Sequence, residues 1–482
     1  MNAEHNNYDV IVIGSGPAGQ NAAITAANFG ARVLMVERER RVGGACVQYG
    51  TIPSKTLRET AVTLSSFRRR SGDVYEISHC QDLQIDSLMT RLSQVVEANQ
   101  ATADQYLSFA GVERCHGTAK FLGPQELSIR KNRGGTFRVR GENIFIATGS
   151  RPRNPDEIPI DHENILDSDS VLSMNYLPQS LTVFGGGVIA SEYASVFACL
   201  GVRVTMVDRF PSPMGFLDSD LTRCFHQQFI ASGGRFVGEC KVLSVEWDGV
   251  SRVITTLDTG EIIESDKALC ALGRVANTRS LGLEAAGLSL TDRGLIPVNE
   301  HYQTQVPSVY AIGDTIGPPA LASAAMEQGR QAAAHACNQL HSKSKFATPM
   351  GIYTIPEMAS VGLNEHQARE EFGDVIVAKV DLAEVARGQI MASSVGLLKL
   401  VVDAQCQTIL GVQIVGDGAT ELIHLGQMAM ANSTVEELAC AIFNFPTLAE
   451  AYRLAAQKAI GLRSKAPAAC CEDVGVPDGV HA

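Results

Sequence analysis

The stretch YDVIVIGSGPAGQNAAITAANFGARVLMVER, residues 8–38, has the pattern of a strand, a glycine-rich turn, a helix and a second strand. Val10–Ile13 and Val33–Val36 are apolar runs with the length of buried strands. The segment from about Ala18 to Phe29 has the composition of a helix. Residues 8–38 therefore predict a βαβ unit of a doubly wound α/β domain.

The same pattern returns in LTVFGGGVIASEYASVFACLGVRVTMVDR, residues 181–209. Two copies of this unit in a chain of 482 residues predict two Rossmann-like dinucleotide-binding domains. After about Pro349, the stretches TIPEMASVG, LKLVVD and ILGVQIVG predict an antiparallel sheet, flanked by helices around Glu421–Ala431 and Ala449–Ala459. The expected fold is α/β, with a smaller α+β domain at the C-terminal end.

The first repeat carries Gly14, Gly16 and Gly19 in the spacing of a dinucleotide-binding turn. Gly14 permits the tight turn, Gly16 lets the backbone approach a pyrophosphate, and Gly19 lets helix and strand pack closely. The free N–H groups at the start of the following helix favour an anion. Glu37 ends the second strand, 23 positions after Gly14, and its carboxylate can accept both hydrogen bonds of an adenosine ribose. Together these residues predict a bound dinucleotide.

The second repeat carries Gly185, Gly187 and Ala190 at the same spacing, with Asp208 again 23 positions after the first glycine. A carboxylate at that position suits the ribose 2′-hydroxyl of NAD and should repel the 2′-phosphate of NADP. Arg209 follows at once and could offer a counter-charge, although a solvated surface arginine is an equal alternative. These residues leave the preference between NAD and NADP open.

The composition excludes several other classes of protein. A net charge of −12 argues against general nucleic-acid binding, and we interpret the Arg68–Arg70 run as a solvated helix face. The polar start of the chain predicts no signal peptide, and no apolar run reaches about 18 residues. The twelve cysteines show no CxxC pair, which argues against zinc and against a secreted disulfide scaffold. We expect a cytoplasmic protein with no metal, nucleic-acid or membrane partner.

Further motifs carry a family resemblance over about residues 8–462: GSGPAG, GGACVQYGTIPSK, ATGSRP, GGGVIASE, YAIGDTIG, YTIPEMASVG and FNFPTLAEAYR. In this order they resemble the flavoprotein disulfide reductase family, which includes dihydrolipoamide dehydrogenase, glutathione reductase and mercuric reductase. The resemblance implies one FAD per subunit, NAD or NADP as substrates, and a homodimer or higher homo-oligomer. It implies an FAD-binding domain over 1–150 and 279–348, an NAD(P)-binding domain over 151–278, a dimerisation domain over 349–462 and a flexible tail over 463–482.

The resemblance also implies roles for individual residues. Asp314 would bind the FAD ribitol, and Lys55 would lie near flavin N5, paired with Glu192. Lys55 and Glu192 are therefore the catalytic candidates and are also expected to contact the cofactors. A structural ion pair is the alternative, and both interpretations can hold together. Four further residues are assigned to cofactor binding: Arg38, Thr148, Gly149 and Gly273.

Two departures from the family pattern bear on the chemistry. Family members carry two cysteines separated by four residues in the stretch that reads GGACVQYGTIPSK here, residues 43–55. In this chain Cys46 is present and Thr51 stands in the second position. Near the C-terminal end, Phe445 occupies the position of the family's histidine base, whereas Glu450 is kept. The loss of the second cysteine and the loss of the histidine base are consistent with each other, because a thiol without a base is a poor nucleophile.

Hydride exchange between two nicotinamides through FAD requires neither a dithiol nor a proton transfer. The stretches GTIPSK and FNFPTLAEAYR resemble the FAD-containing transhydrogenase branch of the family. That resemblance implies ping-pong transfer from NADPH to NAD⁺, with the physiological direction left open. The alternatives are a flavin-dependent quinone or dye reductase, and a non-catalytic redox protein that binds FAD and NAD.

The remaining cysteines leave one alternative open. We interpret Cys46 as a small buried residue rather than a reactive thiol. Cys470 and Cys471 resemble the paired cysteines on the tail of mercuric reductase, but the inner pair that would pass them electrons is missing. An incidental pair is the favoured interpretation, and a redox role for this tail stays open.

Overall fold

The structure is a computed structural model that describes residues 6–71, 85–339, 346–392 and 395–463. Cys470 and Cys471 lie outside the described residues, as do the side chains of Arg68–Arg70. The chain divides into a first unit (Met1–Phe216, Phe225–Lys345 and Ile352–Ile355) and a second unit (Leu217–Cys224, Phe346–Gly351 and Pro356–Ala482). No helix within the described residues has the length and apolar character needed to cross a membrane.

The strands and helices are numbered in chain order. The strands are β1 (Asn7–Ile13), β2 (Val33–Glu37), β3 (Glu113–Gly123), β4 (Glu126–Lys131), β5 (Thr136–Ile146), β6 (Ser150–Pro152), β7 (Ile165–Asp167), β8 (Ser180–Phe184), β9 (Arg203–Val207), β10 (Arg235–Val237), β11 (Val242–Trp247), β12 (Val253–Leu257), β13 (Ile262–Ser265), β14 (Lys267–Cys270), β15 (Arg274–Ala276), β16 (Val309–Ala311), β17 (Met350–Ile352), β18 (Met358–Gly362), β19 (Val375–Asp381), β20 (Leu397–Asp403) and β21 (Ile409–Val415). The helices are α1 (Pro17–Asn28), α2 (Gly44–Gln48), α3 (Thr51–Ser71), α4 (Ile85–Phe109), α5 (Val188–Cys199), α6 (Ser219–Ala231), α7 (Ala322–Ala336), α8 (Glu365–Phe372), α9 (Ala386–Ile390), α10 (Ala419–Asn432), α11 (Val435–Cys440) and α12 (Glu450–Arg463).

The first sheet is built around β1, which pairs in parallel with β2 and β5. β16 extends it beside β5, and β3 extends it beside β2, both in parallel. Val10 and Val12 of β1 belong to a core that includes residues of α1, α4 and α7, whereas Ile11 and Ile13 belong to the core of the opposite face. This alternation follows from the two-residue period of a strand. Helices α1, α4 and α7 therefore pack on one face of the sheet.

The second sheet has the strand order β10-β9-β8-β14-β7, and all its pairings are parallel. Helix α5 follows β8, as α1 follows β1. Strand β6 precedes the second half in sequence and β15 follows it, and these two strands form an antiparallel pair. The parallel strands of the first sheet and the parallel second sheet confirm the predicted pair of Rossmann-like halves. The antiparallel pairings among β3, β4 and β5 and among β11, β12 and β13 were not predicted.

The second unit contains the predicted antiparallel sheet, in the order β17-β18-β21-β20-β19. Leu398, Leu400 and Ile414 of this sheet share one core with Tyr452 of α12. The Tyr452 hydroxyl donates to the carbonyl of Leu422 at 2.7 Å and accepts from the amide of Gly426 at 3.0 Å, so its burial leaves no polar group unpaired. The predicted α/β class with a C-terminal α+β domain is confirmed. The finer domain boundaries stay a prediction.

Candidate active site

The first glycine turn connects β1 to α1 with very close backbone contacts. Gly14 has φ +107°, and a Cβ atom there would collide with the carbonyl oxygen of Ala147. A Cβ atom on Gly19 would collide with the carbonyl oxygen of Gly14. Side chains at these two positions are therefore excluded, which is the packing reason that the sequence motif predicts.

Two helix N-termini have open space where a dinucleotide's pyrophosphate would bind. Gly16 is the N-cap of α1 and Gly187 is the N-cap of α5, and neither helix has a side-chain cap. A Cβ atom built on either glycine meets no atom within 4 Å. The free amide groups and the positive helix end would stabilise an anion there. Both sites thus fit a dinucleotide, one in each half.

Glu37 ends β2 and is almost completely buried beside the first turn. One carboxylate oxygen accepts from the amide of Ser15 at 2.8 Å and from its hydroxyl at 2.5 Å. The other accepts from the amide of Glu39 at 2.8 Å. Ser15 Oγ also accepts from the amide of Gly43 at 3.1 Å. Ser15, which the sequence analysis did not single out, therefore ties Glu37 to the start of the 43–55 stretch.

The second turn repeats this arrangement with a more open carboxylate. Asp208 follows β9, accepts from the amide of Phe210 at 3.1 Å, and packs so closely on Gly186 that a Cβ atom there would collide with it. The Arg209 guanidinium carbon lies 4.7 Å from the centre of the exposed Phe210 ring. A carboxylate and a cation thus stand side by side at the end of β9. Ala190 is buried in α5.

Lys55 of α3 and Glu192 of α5 form an ion pair with Nζ and Oε2 at 2.6 Å. The side chains are 24% and 10% exposed, so the pair is largely shielded from water. The Lys55 ammonium also lies 5.0 Å from the centre of the Tyr353 ring. α3 is continuous in sequence with the first half and α5 with the second, so this pair connects the two halves.

Glu192 has a second partner that the sequence analysis missed. Its Oε1 accepts from the amide of Tyr353 at 2.9 Å, and one turn later the hydroxyl of Ser195 accepts from the amide of Ile355 at 3.1 Å. Both oxygens of the carboxylate are therefore held, one by a cation and one by backbone. A fixed carboxylate in turn fixes the position of the Lys55 ammonium.

The segment after β5 meets the return segment around Asp314. The Ser150 hydroxyl donates to Asp314 Oδ2 at 2.6 Å and accepts from Arg274 Nε at 2.8 Å. The Thr148 hydroxyl donates to the carbonyl of Asn277 at 2.8 Å. The bond from Ser150 holds Asp314 in a short 3₁₀ helix, Gly313–Ile316. The other two bonds join the segment after β5 to Arg274 and Asn277.

Gly149, Gly273 and Arg38 were also assigned to cofactor binding from the sequence. Gly149 has φ +64° and its carbonyl accepts from the amide of Asn277 at 2.9 Å. Gly273 has φ +102° and its carbonyl accepts from the amide of Arg153 at 3.0 Å. Arg38 is exposed and its Nε donates to Glu39 at 3.2 Å. The structure gives these residues backbone or surface roles, and their cofactor contacts stay a prediction.

Cys46 lies in α2 and is only partly buried, whereas the sequence predicted a buried residue. Burial raises the pKa of its thiol, although a side-chain hydrogen bond with Thr51 and the charge of Lys55 lower it in part. The charge of Asp314 raises the pKa of this thiol further. All nine cysteines in the described part of the chain are free. A raised pKa disfavours the thiolate that disulfide chemistry requires.

In the second unit, Phe445 is 69% exposed, and Glu450 is buried at the start of α12. Glu450 accepts from Arg453 Nη2 at 3.3 Å. An aromatic ring at position 445 cannot accept or donate a proton. Across the described residues, no group of three or more His, Cys, Asp or Glu side chains is placed to hold a metal ion.

The comparisons with known proteins agree with this geometry. The model of the pyridine nucleotide-disulphide oxidoreductase family matches residues 8–329, and the model of its dimerisation domain matches residues 348–456. The chain is 38% identical over 460 residues to the soluble pyridine nucleotide transhydrogenase of Chromohalobacter salexigens, covering 94% of this chain and 98% of that protein. It is 40% identical over 455 residues to the protein of the same name from Mycobacterium tuberculosis, covering 93% and 96%.

Solved structures show the same architecture. LpdA from Mycobacterium tuberculosis superposes with a TM-score of 0.87 at 27% identity, over 93% of this chain and 99% of that chain. The HOCl-induced flavoprotein disulfide reductase RclA from Escherichia coli superposes with a TM-score of 0.84 at 25% identity, over 93% and 99%.

Proposed function

Because the chain belongs to the pyridine nucleotide-disulphide oxidoreductase family, we propose that it transfers a hydride from NADPH to NAD⁺ through bound FAD. The observation that carries this proposal is the 43–55 stretch. Burial raises the pKa of its one cysteine, Cys46, and Thr51 stands where a second thiol would be needed. Hydride exchange through a flavin needs no second thiol.

In this proposal the first half holds FAD. Its pyrophosphate lies at the N-terminus of α1, in the turn formed by Gly14, Gly16 and Gly19, and Glu37 accepts from the adenosine ribose. The other contributing residues are Arg38, Thr148, Gly149 and Asp314. When bound, FAD supplies an acceptor and donor of two electrons as hydride. One FAD per subunit is part of the proposal.

The nicotinamide nucleotides bind in turn to the second half. Gly185, Gly187 and Ala190 receive the pyrophosphate at the N-terminus of α5, and Gly273 borders the site. Asp208 accepts from the 2′-hydroxyl of NAD, and Arg209 offers its charge to the 2′-phosphate of NADP. The adjacent carboxylate and guanidinium support use of both nucleotides at one site.

Lys55 and Glu192 supply the electrostatic part of the reaction. A hydride carries negative charge towards the flavin, and the Lys55 ammonium stabilises that charge if it is already in place. Glu192 holds the ammonium at 2.6 Å, and its second oxygen is fixed by the amide of Tyr353. No residue of this set has to move a proton, which agrees with Phe445 at the family's base position.

We also propose how the chain assembles and where it is located. The match of residues 348–456 to a dimerisation domain supports a homodimer or higher homo-oligomer. A cytoplasmic location is proposed with it, since both nucleotides are abundant there.

The test is the separate measurement of the two half-reactions in stopped flow. Purified holoenzyme is mixed with NADPH, and the flavin absorbance should fall at a rate that supports turnover. Mixing the reduced enzyme with NAD⁺ should restore it. If NADPH fails to reduce the flavin, or if a quinone reoxidises it far faster than NAD⁺, the proposed reaction is wrong.

A further inference from the structure

A cleft of about 770 Å³ lies in the first unit beside the antiparallel pair β6–β15. Its walls come from four parts of the chain, namely the segments 151–154, 162–170, 275–279 and 290–294. None of the residues assigned above to FAD or to the nicotinamide nucleotides lines it. A volume of this size is typical of a site for a small molecule.

Residues from both faces of β6–β15 line the cleft, since Arg151 and Pro152 are neighbours on β6 and Val275 and Ala276 are neighbours on β15. Ser150 and Arg274 bond to each other, and Ser150 bonds to Asp314. The neighbouring residues along the two strands, Arg151 and Val275, are directly opposite each other in the register. Successive side chains of a strand point to opposite faces, so Arg151 and Val275 lie on the face opposite to Ser150 and Arg274. Asp314 is not among the residues that line the cleft.

Four arginines line this cleft: Arg151, Arg153, Arg279 and Arg293. None of their guanidinium groups has a hydrogen-bond or ion-pair partner within the described part of the chain. Some other exposed arginines of the first unit do have carboxylate partners, such as Arg32 with Glu113 and Arg235 with Glu261. Four guanidinium groups gathered in one cleft without ion-pair partners repel each other, and a bound anion would relieve that repulsion.

The acidic residues of the cleft form no ion pair with these four arginines within the described residues. Asp167 accepts from the amide and hydroxyl of Ser170 and from Asn154. Burial raises the pKa of Asp167, but the bonds from Ser170 and Asn154 lower it by more. Asp169 is paired with Arg274 at 3.5 Å. With Asp292, three carboxylates line the cleft against four arginines, and Asp169 is already paired with Arg274 outside it.

We propose that this cleft binds a small molecule that carries at least two phosphate groups. Guanidinium groups bind phosphate in a bidentate fashion, and arginines from three separate segments can surround more than one such group. Pro152, Val275 and Leu290 provide apolar wall beside the arginines, where the carbon part of the ligand would lie. The site is additional to the proposed hydride transfer and does not depend on it.

Inorganic pyrophosphate is the probe, titrated calorimetrically into holoenzyme with saturating NAD⁺ present so that the N-terminus of α5 is already occupied. We expect one pyrophosphate per chain. A charge-assisted hydrogen bond contributes about 1.5–3 kcal/mol, so Arg153→Gln with Arg279→Gln should weaken binding at least about tenfold. The control is Arg133→Gln, another exposed arginine without a partner in the described residues, which does not line the cleft.

Flavin content and circular dichroism of each variant verify that the fold is kept. Absence of pyrophosphate binding to the parent holoenzyme would overturn the proposal. So would equal weakening in the control variant, or no weakening in the double variant. Citrate is titrated in parallel, and citrate binding as tight as that of pyrophosphate would overturn the assignment to phosphate.

Discussion

Replacing Lys399 by Met tests the most heavily buried charge in the described residues. The Lys399 side chain is 0% exposed, and its Nζ lies 2.8 Å from Asp218, 2.7 Å from Asp220 and 2.7 Å from Glu365. Burial lowers the pKa of Lys399, but the hydrogen bonds to these three carboxylates raise it by more. The ammonium is therefore charged, and its removal leaves Asp218, 2% exposed, without a counter-charge.

The expected loss is large because one partner of a buried network is removed. Breaking a buried ion pair in this way costs about 3–5 kcal/mol. At roughly 2–4 °C per kcal/mol for a domain of this size, Lys399→Met should lower Tm by about 6–20 °C. Lys458→Met is the matched control, since Lys458 pairs with Glu384 at 2.7 Å but the two side chains are 42% and 44% exposed. That pair should contribute only about 0–1 kcal/mol.

The pH dependence adds a second readout. The hydrogen bond from Lys399 lowers the pKa of Glu365. Burial raises the pKa of Asp220, but the hydrogen bonds from Lys379 and Lys399 lower it by more. Groups with a lowered folded pKa stabilise the fold above their unfolded pKa, and this stabilisation is lost as pH falls through the folded value. In Lys399→Met, protonation instead relieves the repulsion among these carboxylates that the ammonium no longer offsets. The Tm difference between parent and variant should therefore narrow from pH 7 to about pH 4.

Thermal unfolding followed by circular dichroism measures both quantities. A loss no larger than that of Lys458→Met, or a difference independent of pH, would refute the reasoning.

Three further predictions concern the candidate site. Glu192→Gln keeps the acceptor for Tyr353 but removes the charge that fixes Lys55, so flavin reduction by NADPH in stopped flow should slow about 10–100-fold with flavin content unchanged. Arg209→Gln should raise KM for NADPH about tenfold and leave KM for NADH within about twofold, as steady-state kinetics would show. Equal changes for both nucleotides would contradict that role. Gly187→Val has space for its side chain and should fold with FAD bound, yet lose NAD⁺ binding in calorimetry; retained binding would contradict the assignment.

The parallel core of the fold was predictable from local patterns. Val10–Ile13 and Val33–Val36 are short apolar runs, and the glycine spacing between them belongs to one kind of turn. Strands β11–β13 were harder, because they alternate buried and exposed residues over only four to six positions each. Such patterns are also compatible with loops until the partner strands are known.

The site was predictable only in part. The family resemblance implied the partnership of Lys55 with Glu192, which are 137 residues apart, and the structure contains their ion pair. The bonds from Tyr353 and Ile355 depend on backbone amides that meet α5 in three dimensions, and a sequence motif does not encode such meetings. Lys399 likewise looks like an ordinary polar position of a strand until Asp218 and Glu365 are brought to it.

The central claim is that hydride passes from NADPH to NAD⁺ without a thiol of the chain taking part. The most direct test is Cys46→Ala in holoenzyme, with both half-reactions followed by flavin absorbance in stopped flow. Burial already raises the pKa of this thiol, and Thr51 in place of a second cysteine leaves it no dithiol partner in the 43–55 stretch. The account predicts reduction by NADPH and reoxidation by NAD⁺ within about twofold of the parent rates, since no catalytic group is lost. Loss of reoxidation by NAD⁺ in this variant would contradict it.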